Sequence, residues 1–169
     1  MDGKEVLLEV TEDHLNTGLR GVPVGTCRTS FVTPTEGVHY CGYPISELTS
    51  FTPEDIVYLL FNKELPNAQQ SADIRADLAR RGEIPGDLEA VFRTLPKYGH
   101  PMDWISVAIH TIGMWETTGD WKEDALNLIA RMPRVMGLMY RIREGREENI
   151  PADDTSLSMV QRFVNTIRS

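Results

Sequence analysis

Two long apolar helical patterns sit side by side near the middle of the chain. Residues 100–116 read HPMDWISVAIHTIGMWE and residues 121–143 read WKEDALNLIARMPRVMGLMYRIR. Only the turn-forming stretch around Thr118-Gly119-Asp120 separates them. Each pattern carries apolar residues around more of its circumference than a surface helix needs, since such a helix keeps only one stripe inward. In 169 residues this is more apolar surface than a single core requires. The pair therefore predicts helices over 101–117 and 121–143 and an outward-facing remainder that needs a partner.

The second pattern contains further constraints. Met132, Met136 and Met139 fall on one face with Ile129, Val135 and Ile142. A methionine stripe is ordinarily core, because Met fills irregular gaps; with Leu126, Leu128 and Leu138 on the same helix, it is equally suited to an interface. Pro133 removes a ladder donor inside the helix and predicts a local kink. Gly137, one turn later, opens a place for close backbone approach. Arg131, Arg134, Arg141 and Arg143 line the same helix. They have the charge to meet an anion, although arginines on a helix rim are usually solvated or paired with Glu or Asp.

The rest of the chain divides into two zones. Residues 1–43 read as β-rich: an apolar run EVLLEV at 5–10, then a hairpin of residues 26–33 and 38–43 around the turn residues Pro34-Thr35-Glu36-Gly37. Residues 44–169 read as helical. Ser46 or Thr52 can cap a start, and Pro53-Glu54-Asp55 suits a first helical turn. Helices are expected over 53–65, over 67–81 up to Gly82, over 86–95 before Pro96, and over 155–167 with Asp153-Asp154 as the cap. Together these give a mainly α fold in one domain, short N-terminal strands followed by a helical bundle. The last helix carries Leu157, Met159, Val160, Phe163, Val164 and Ile167 without a Gly or Pro stop. It reads either as a docked terminal helix or as part of a longer chain.

Composition excludes several function classes. The net charge of −8 lacks the basic surface that nonspecific nucleic-acid binding needs. No run approaches the roughly 20 apolar residues of a membrane span. The start MDGKEVLLEV lacks the order of a signal peptide. Cys27 and Cys41 are spaced for neither a metal clip nor a redox CxxC and read as reduced thiols in a cytoplasmic protein; a disulfide requires their strands to pair.

Chemistry-bearing motifs are sparse. His14, His39, His100 and His110 show no metal-ligand spacing. His110, among apolar neighbours, reads as a hydrogen-bonded interior residue, and His100 before Pro101 as a local helix-start residue. Gly21 to Gly25 (GVPVG) lacks the lysine and spacing of a phosphate loop, and no serine stands in GxSxG. Asp153-Asp154 and Glu147-Glu148 suit helix ends. No catalytic residue and no metal ligand is assigned, and no cofactor site is identified.

The order of segments nevertheless resembles the N-terminal part of the large domain in the citrate synthase family, which includes 2-methylcitrate synthase. Gly18-Leu-Arg-Gly21, followed by Tyr40-Cys-Gly-Tyr-Pro-Ile45, is similar to the family's early hairpin. Tyr58-Leu-Leu with Glu64-Leu-Pro66 is similar to the helix and stop that follow. Leu95-Pro-Lys with His100-Pro-Met-Asp103, and Ile129-Ala-Arg-Met-Pro-Arg with Met-Tyr-Arg141, resemble the two central helices. Cys41 departs from the pattern, standing where many relatives have Arg. The resemblance implies a Claisen-type condensation of acetyl-CoA with oxaloacetate, run by an Asp base, two histidines and carboxylate-holding arginines in the family's later half. None of those roles transfers to residues here, and His100 and His110 fall in the wrong segments. The chain alone is therefore expected to be inactive, as a portion of an enzyme cut from a longer protein or split from a companion chain carrying the catalytic half. A non-catalytic dimerisation or regulatory module is the alternative. In either case the resemblance implies a homodimer through helices 101–117 and 121–143.

Overall fold

The structure, a computed structural model, describes residues 5–18 and 20–168. Met1 to Lys4 of the amino-terminal reading, Leu19 of the Gly18–Gly21 motif and Ser169 lie outside the described residues.

Among the described residues, strands are confined to residues 30–44. β1 (Ser30–Thr33) and β2 (Gly37–Tyr40) form the expected hairpin, with Phe31 opposite His39 and the two rings stacked at 4.4 Å. The expected second strand, 38–43, is split. Cys41 (φ 50°) and Gly42 (φ 94°) turn the chain, and β3 (Tyr43–Pro44) returns antiparallel along β2. The run EVLLEV forms no strand: Val6, Leu7 and Val10 are exposed and residues 12–16 make a 3-10 turn. An apolar run becomes a strand only where a neighbour satisfies its backbone, and no described strand pairs with it.

The helical zone begins with a single turn, α1 (Ile45–Leu48). α2 (Pro53–Asn62) starts as expected at Thr52: Asp55 accepts from the Thr52 N–H at 3.0 Å, and the Thr52 hydroxyl accepts from the Asp55 N–H at 3.4 Å. It stops three residues short of the expected end because Lys63 adopts a left-handed conformation and its N–H donates to the Leu59 carbonyl. α3 (Ala68–Arg81) carries an Asn67–Gln70 capping box, and α4 (Gly86–Arg93) follows. α5 (Pro101–Glu116) and α6 (Trp121–Arg143) realise the central pair, α6 running through Pro133.

The last helix is shorter than expected. α7 (Met159–Arg168) begins after Ser158, whose hydroxyl accepts from the Gln161 N–H while the Gln161 side chain accepts from the Ser158 N–H. Asp153-Asp154 is not its cap. Asp153 pairs with Arg162, and Asp154 accepts from Ser156 in a tight turn.

The core lies where α4, α5 and α6 meet. It contains Leu88, Phe92, Trp104, Ala108, Ile112, Val135, Leu138 and Ile142, with Phe92 and Trp104 tilted at 5.7 Å. α7 packs along the other side of α6.

Candidate functional site

The α6–α7 junction is built around a glycine and several buried arginines. A Cβ at Gly137 would lie 2.5 Å from Thr166 Cγ2, so only glycine lets α7 come this near, as expected of that position. Arg162 closes a second tight contact over Gly82.

Three arginines of α6 are buried rather than solvated, and two of them pair with Glu, as the rim reading allows. Arg131, Arg134 and Arg141 are buried, the last only 1% exposed. Arg141 Nε donates to the Thr166 carbonyl at 2.7 Å, near the carboxyl end of α7, where helix carbonyls lack internal donors. Arg134 donates to the Pro151 carbonyl at 2.8 Å and to the Thr166 hydroxyl, with Glu89 3.7 Å away. Arg131 pairs with Glu116 of α5 and donates to the Arg81 carbonyl; burial pushes its pKa down. Arg143 reaches the Gly99 carbonyl at 2.8 Å. These groups are engaged with the protein's own backbone and carboxylates, and the structure brings them together as staples between helices.

Arg162 escaped the sequence reading. It is buried on the same face of α7 as Met159, Phe163 and Thr166, where it forks onto Asp153 and donates to the Ala79 carbonyl. A long cation within an otherwise apolar helical stripe was the available signal.

The methionine stripe divides between two environments. Met139 packs against the core, while Met132 and Met136 line a wholly apolar groove of about 270 Å³ with Pro53, Ile129, Phe163 and Val160. A second cleft, about 380 Å³, lies between α3 and the segment leading into α7, lined by Glu54, Arg75, Ser156 and Arg162 among others. Glu54 is buried and accepts from the Met159 N–H at 2.8 Å, which ties α2 to the start of α7.

α5 presents a different surface. Trp104, Ala108 and Ile112 face inward, while Val107 and Met114 are exposed seven residues apart. His110 lies between them on the outside of the helix, which corrects its reading as an interior residue. His100 caps α5 as expected, its Nδ1 accepting from the Met102 N–H at 3.2 Å. His39 is buried behind Phe31, and His14 Nδ1 accepts from the Thr11 N–H. The histidines stay apart. Among the described residues no three His, Cys, Asp or Glu side chains gather into a metal-sized group, and no helix is long and apolar enough to cross a membrane.

Residues 18–169 match the family model described as "Citrate synthase, C-terminal domain". Among curated relatives, the chain is 29% identical over 178 residues to citrate synthase 4, mitochondrial, of Arabidopsis thaliana, covering 89% of this chain and 37% of that protein. It is 27% identical to 2-methylcitrate synthase, mitochondrial, of Emericella nidulans, covering 94% and 41%. Among solved structures, citrate synthase from Thermotoga maritima superposes with a TM-score of 0.77 at 22% identity, over 89% of this chain and 40% of that one. Citrate synthase from Pyrobaculum aerophilum gives 0.77 at 22% identity, over 90% and 42%. The chain thus spans about two fifths of the length of these relatives.

Proposed function

This chain belongs to the citrate synthase family, and we propose that it forms the helical scaffold portion of a citrate synthase-like enzyme whose condensing residues lie outside this segment. One observation carries the reading: nearly the whole chain aligns with relatives of the same fold, yet it covers only about two fifths of them. The order of the hairpin, the Leu-Pro stop and the His-Pro-Met-Asp entry supports an amino-terminal position within the enzyme, although the matching family model bears a carboxy-terminal description.

The reaction of the proposed enzyme is the condensation of acetyl-CoA with oxaloacetate to citrate. It needs a base to enolise the thioester and donors to stabilise the resulting oxyanion. Several of the segment's polar side chains are committed to its own structure. His100 Nδ1 is held as a helix cap, and Arg131, Arg134, Arg141 and Arg162 bind helix ends and carboxylates. Its contribution is to hold α5, α6 and α7 rigid enough to support a site completed by other residues. The 169-residue chain incubated with acetyl-CoA and oxaloacetate is therefore expected to release no CoA thiol and form no citrate. Measurable turnover by the pure chain overturns the proposal.

The second reading, a non-catalytic dimerisation module, is favoured by the outer face of α5 with Val107 and Met114. In both readings a second copy covers this face and the exposed residues Trp121, Met136 and Tyr140 of α6. Sedimentation of the pure chain tests it: a dimer is expected, and a monomer at all concentrations rules out self-association through these helices. We place the protein in the cytoplasm, where its two free thiols stay reduced. Both named curated relatives are mitochondrial, and co-fractionation with an organelle overturns that placement.

A further inference from the structure

Two halves of a β-pairing stand unmet in this chain. The first is the segment 5–10, EVLLEV. It lies outside every helix and strand, and Val6, Leu7 and Val10 are 73%, 76% and 80% exposed. Its backbone makes no hydrogen bond to a described residue. Stretched as a strand, it puts Val6, Leu8 and Val10 on one face and Leu7 with the two glutamates on the other.

The second half is the outer edge of β1. The sheet runs β1–β2–β3, so β1 has a neighbour on one side only. The register fixes which of its backbone groups face the open side. Cys41 and Gly42 form a two-residue turn with positive φ, closed by the pair Tyr40–Tyr43. The closing pair of such a hairpin exchanges both hydrogen bonds, so Tyr40 turns its N–H and C=O toward β3. Ser30, opposite Tyr40, therefore receives no ladder bond from it. Alternation gives the β2 bonds to Phe31 and Thr33 and points the N–H and C=O of Ser30 and Val32 to the open edge. The bond from the Cys41 N–H to the Thr29 carbonyl has the same parity. β1 reads SFVT, with no charge and no proline to blunt the edge, and Phe31 and Val32 are exposed. An edge of this kind is a template for another strand.

We propose that segment 5–10 of a second copy docks on the β1 edge as a fourth strand, the two copies exchanging these segments reciprocally. Within one copy the segment and the edge stay apart, joined by residues 11–29. Because one chain carries both halves, a two-fold exchange satisfies both in each copy and closes without a third component. Charge agrees with this occupant: the segment brings Glu5 and Glu9, and the exposed Arg28 stands beside the edge. The row Val6, Leu8 and Val10 then lies beside Phe31, which is half exposed over the buried His39. The contact uses residues other than those of the outer α5 face, and it does not depend on the enzymatic reading above.

The test is residue-resolved amide hydrogen exchange by NMR on the full chain at high and low protein concentration. Slow exchange at alternate amides of residues 6–10 and at Ser30 and Val32 is expected in the concentrated sample, and fast exchange at the same amides on dilution. Val32→Pro removes a donor that faces only the open edge, so the β1–β2 ladder should survive while the slow exchange at residues 6–10 is lost. Leu8→Pro, in a segment outside the core, should release the Ser30 and Val32 amides while the helical amides keep the parent's rates. Fast exchange at residues 6–10 at every concentration overturns the proposal. Slow exchange that persists on dilution also overturns it, since the segment then docks within its own chain. Protection that survives in Val32→Pro overturns it too, since another surface then covers the segment.

Discussion

α5 and α6 both read in the sequence as long apolar helices, yet the fold treats them differently. α6 packs on the core along one side and on α7 along another, burying three arginines as well as Val135, Leu138 and Ile142, and leaves Trp121, Met136 and Tyr140 exposed. α5 turns Trp104, Ala108 and Ile112 inward and leaves Val107 and Met114 exposed. The difference lies in what comes near each helix. α6 offers a glycine where the Thr166 side chain of α7 can seat and an arginine long enough to reach the Thr166 carbonyl. α5 has Gly113, but among the described residues no helix crosses there. Apolar surface alone did not decide which helix was covered; polar satisfaction of the covering element did.

The comparison breaks most sharply at Asp153. Replacing it with Ala leaves the Arg162 guanidinium, only 3% exposed, without its carboxylate. The expected cost is roughly 3–5 kcal/mol, the range for removing one partner of a buried pair. Urea unfolding measures it, and a loss below about 1 kcal/mol shows that this staple does not hold α7.

Next in size is Gly137→Leu, which drives a side chain into Thr166. Overpacking of this kind costs about 1–3 kcal/mol, more than the roughly 1 kcal/mol that replacing a helical glycine gains. The equivalent change in α5, Gly113→Leu, meets only the Thr117 hydroxyl at 4.0 Å and is expected to leave stability unchanged or raised. Equal losses at the two glycines erase the distinction between the helices.

A smaller effect belongs to the connection between them. Asp124 accepts from the Thr118 N–H at 2.8 Å and the Thr118 hydroxyl at 2.7 Å, and these bonds hold its carboxyl below the usual range. A carboxyl depressed in the folded state contributes stability above its unfolded pKa of about 3.9, and that contribution is lost as pH falls through the folded value. Asp124→Asn should therefore weaken the acid limb of a pH–stability curve while leaving its shape above pH 5 unchanged, as thermal melts across the pH range would record.

The smallest expected change in the fold is at Met114→Glu on the outer face of α5. Monomer stability should stay within about 0.5 kcal/mol of the parent, since an exposed side chain that touches little contributes little. Self-association should weaken if this face meets a second copy. A large loss of monomer stability means instead that Met114 is covered within one chain.

Much of the fold was legible from local signals. Thr52-Pro53 with Asp55, Asn67 with Gln70 and His100-Pro101 mark helix starts by chemistry confined to one turn. The hairpin was legible because its turn residues and its alternation agree. What misled were segments whose fate depends on distant partners. EVLLEV has strand composition but, among the described residues, no strand beside it. Asp153 resembles a cap, but its partner Arg162 lies nine residues away. His110 has apolar neighbours in sequence, yet the face it shares with Val107 and Met114 is left exposed.

The sequence by itself determined the helical periods, the caps, the hairpin and the place for close contact at Gly137, because each is a property of residues within about one turn or one strand pair. Only the tertiary structure decided that Arg134, Arg141 and Arg162 are buried staples and that α5 keeps an open face. A side chain's periodicity sets the direction in which it points. Whether it meets water, a carbonyl or another helix is set by backbone brought in from far along the chain.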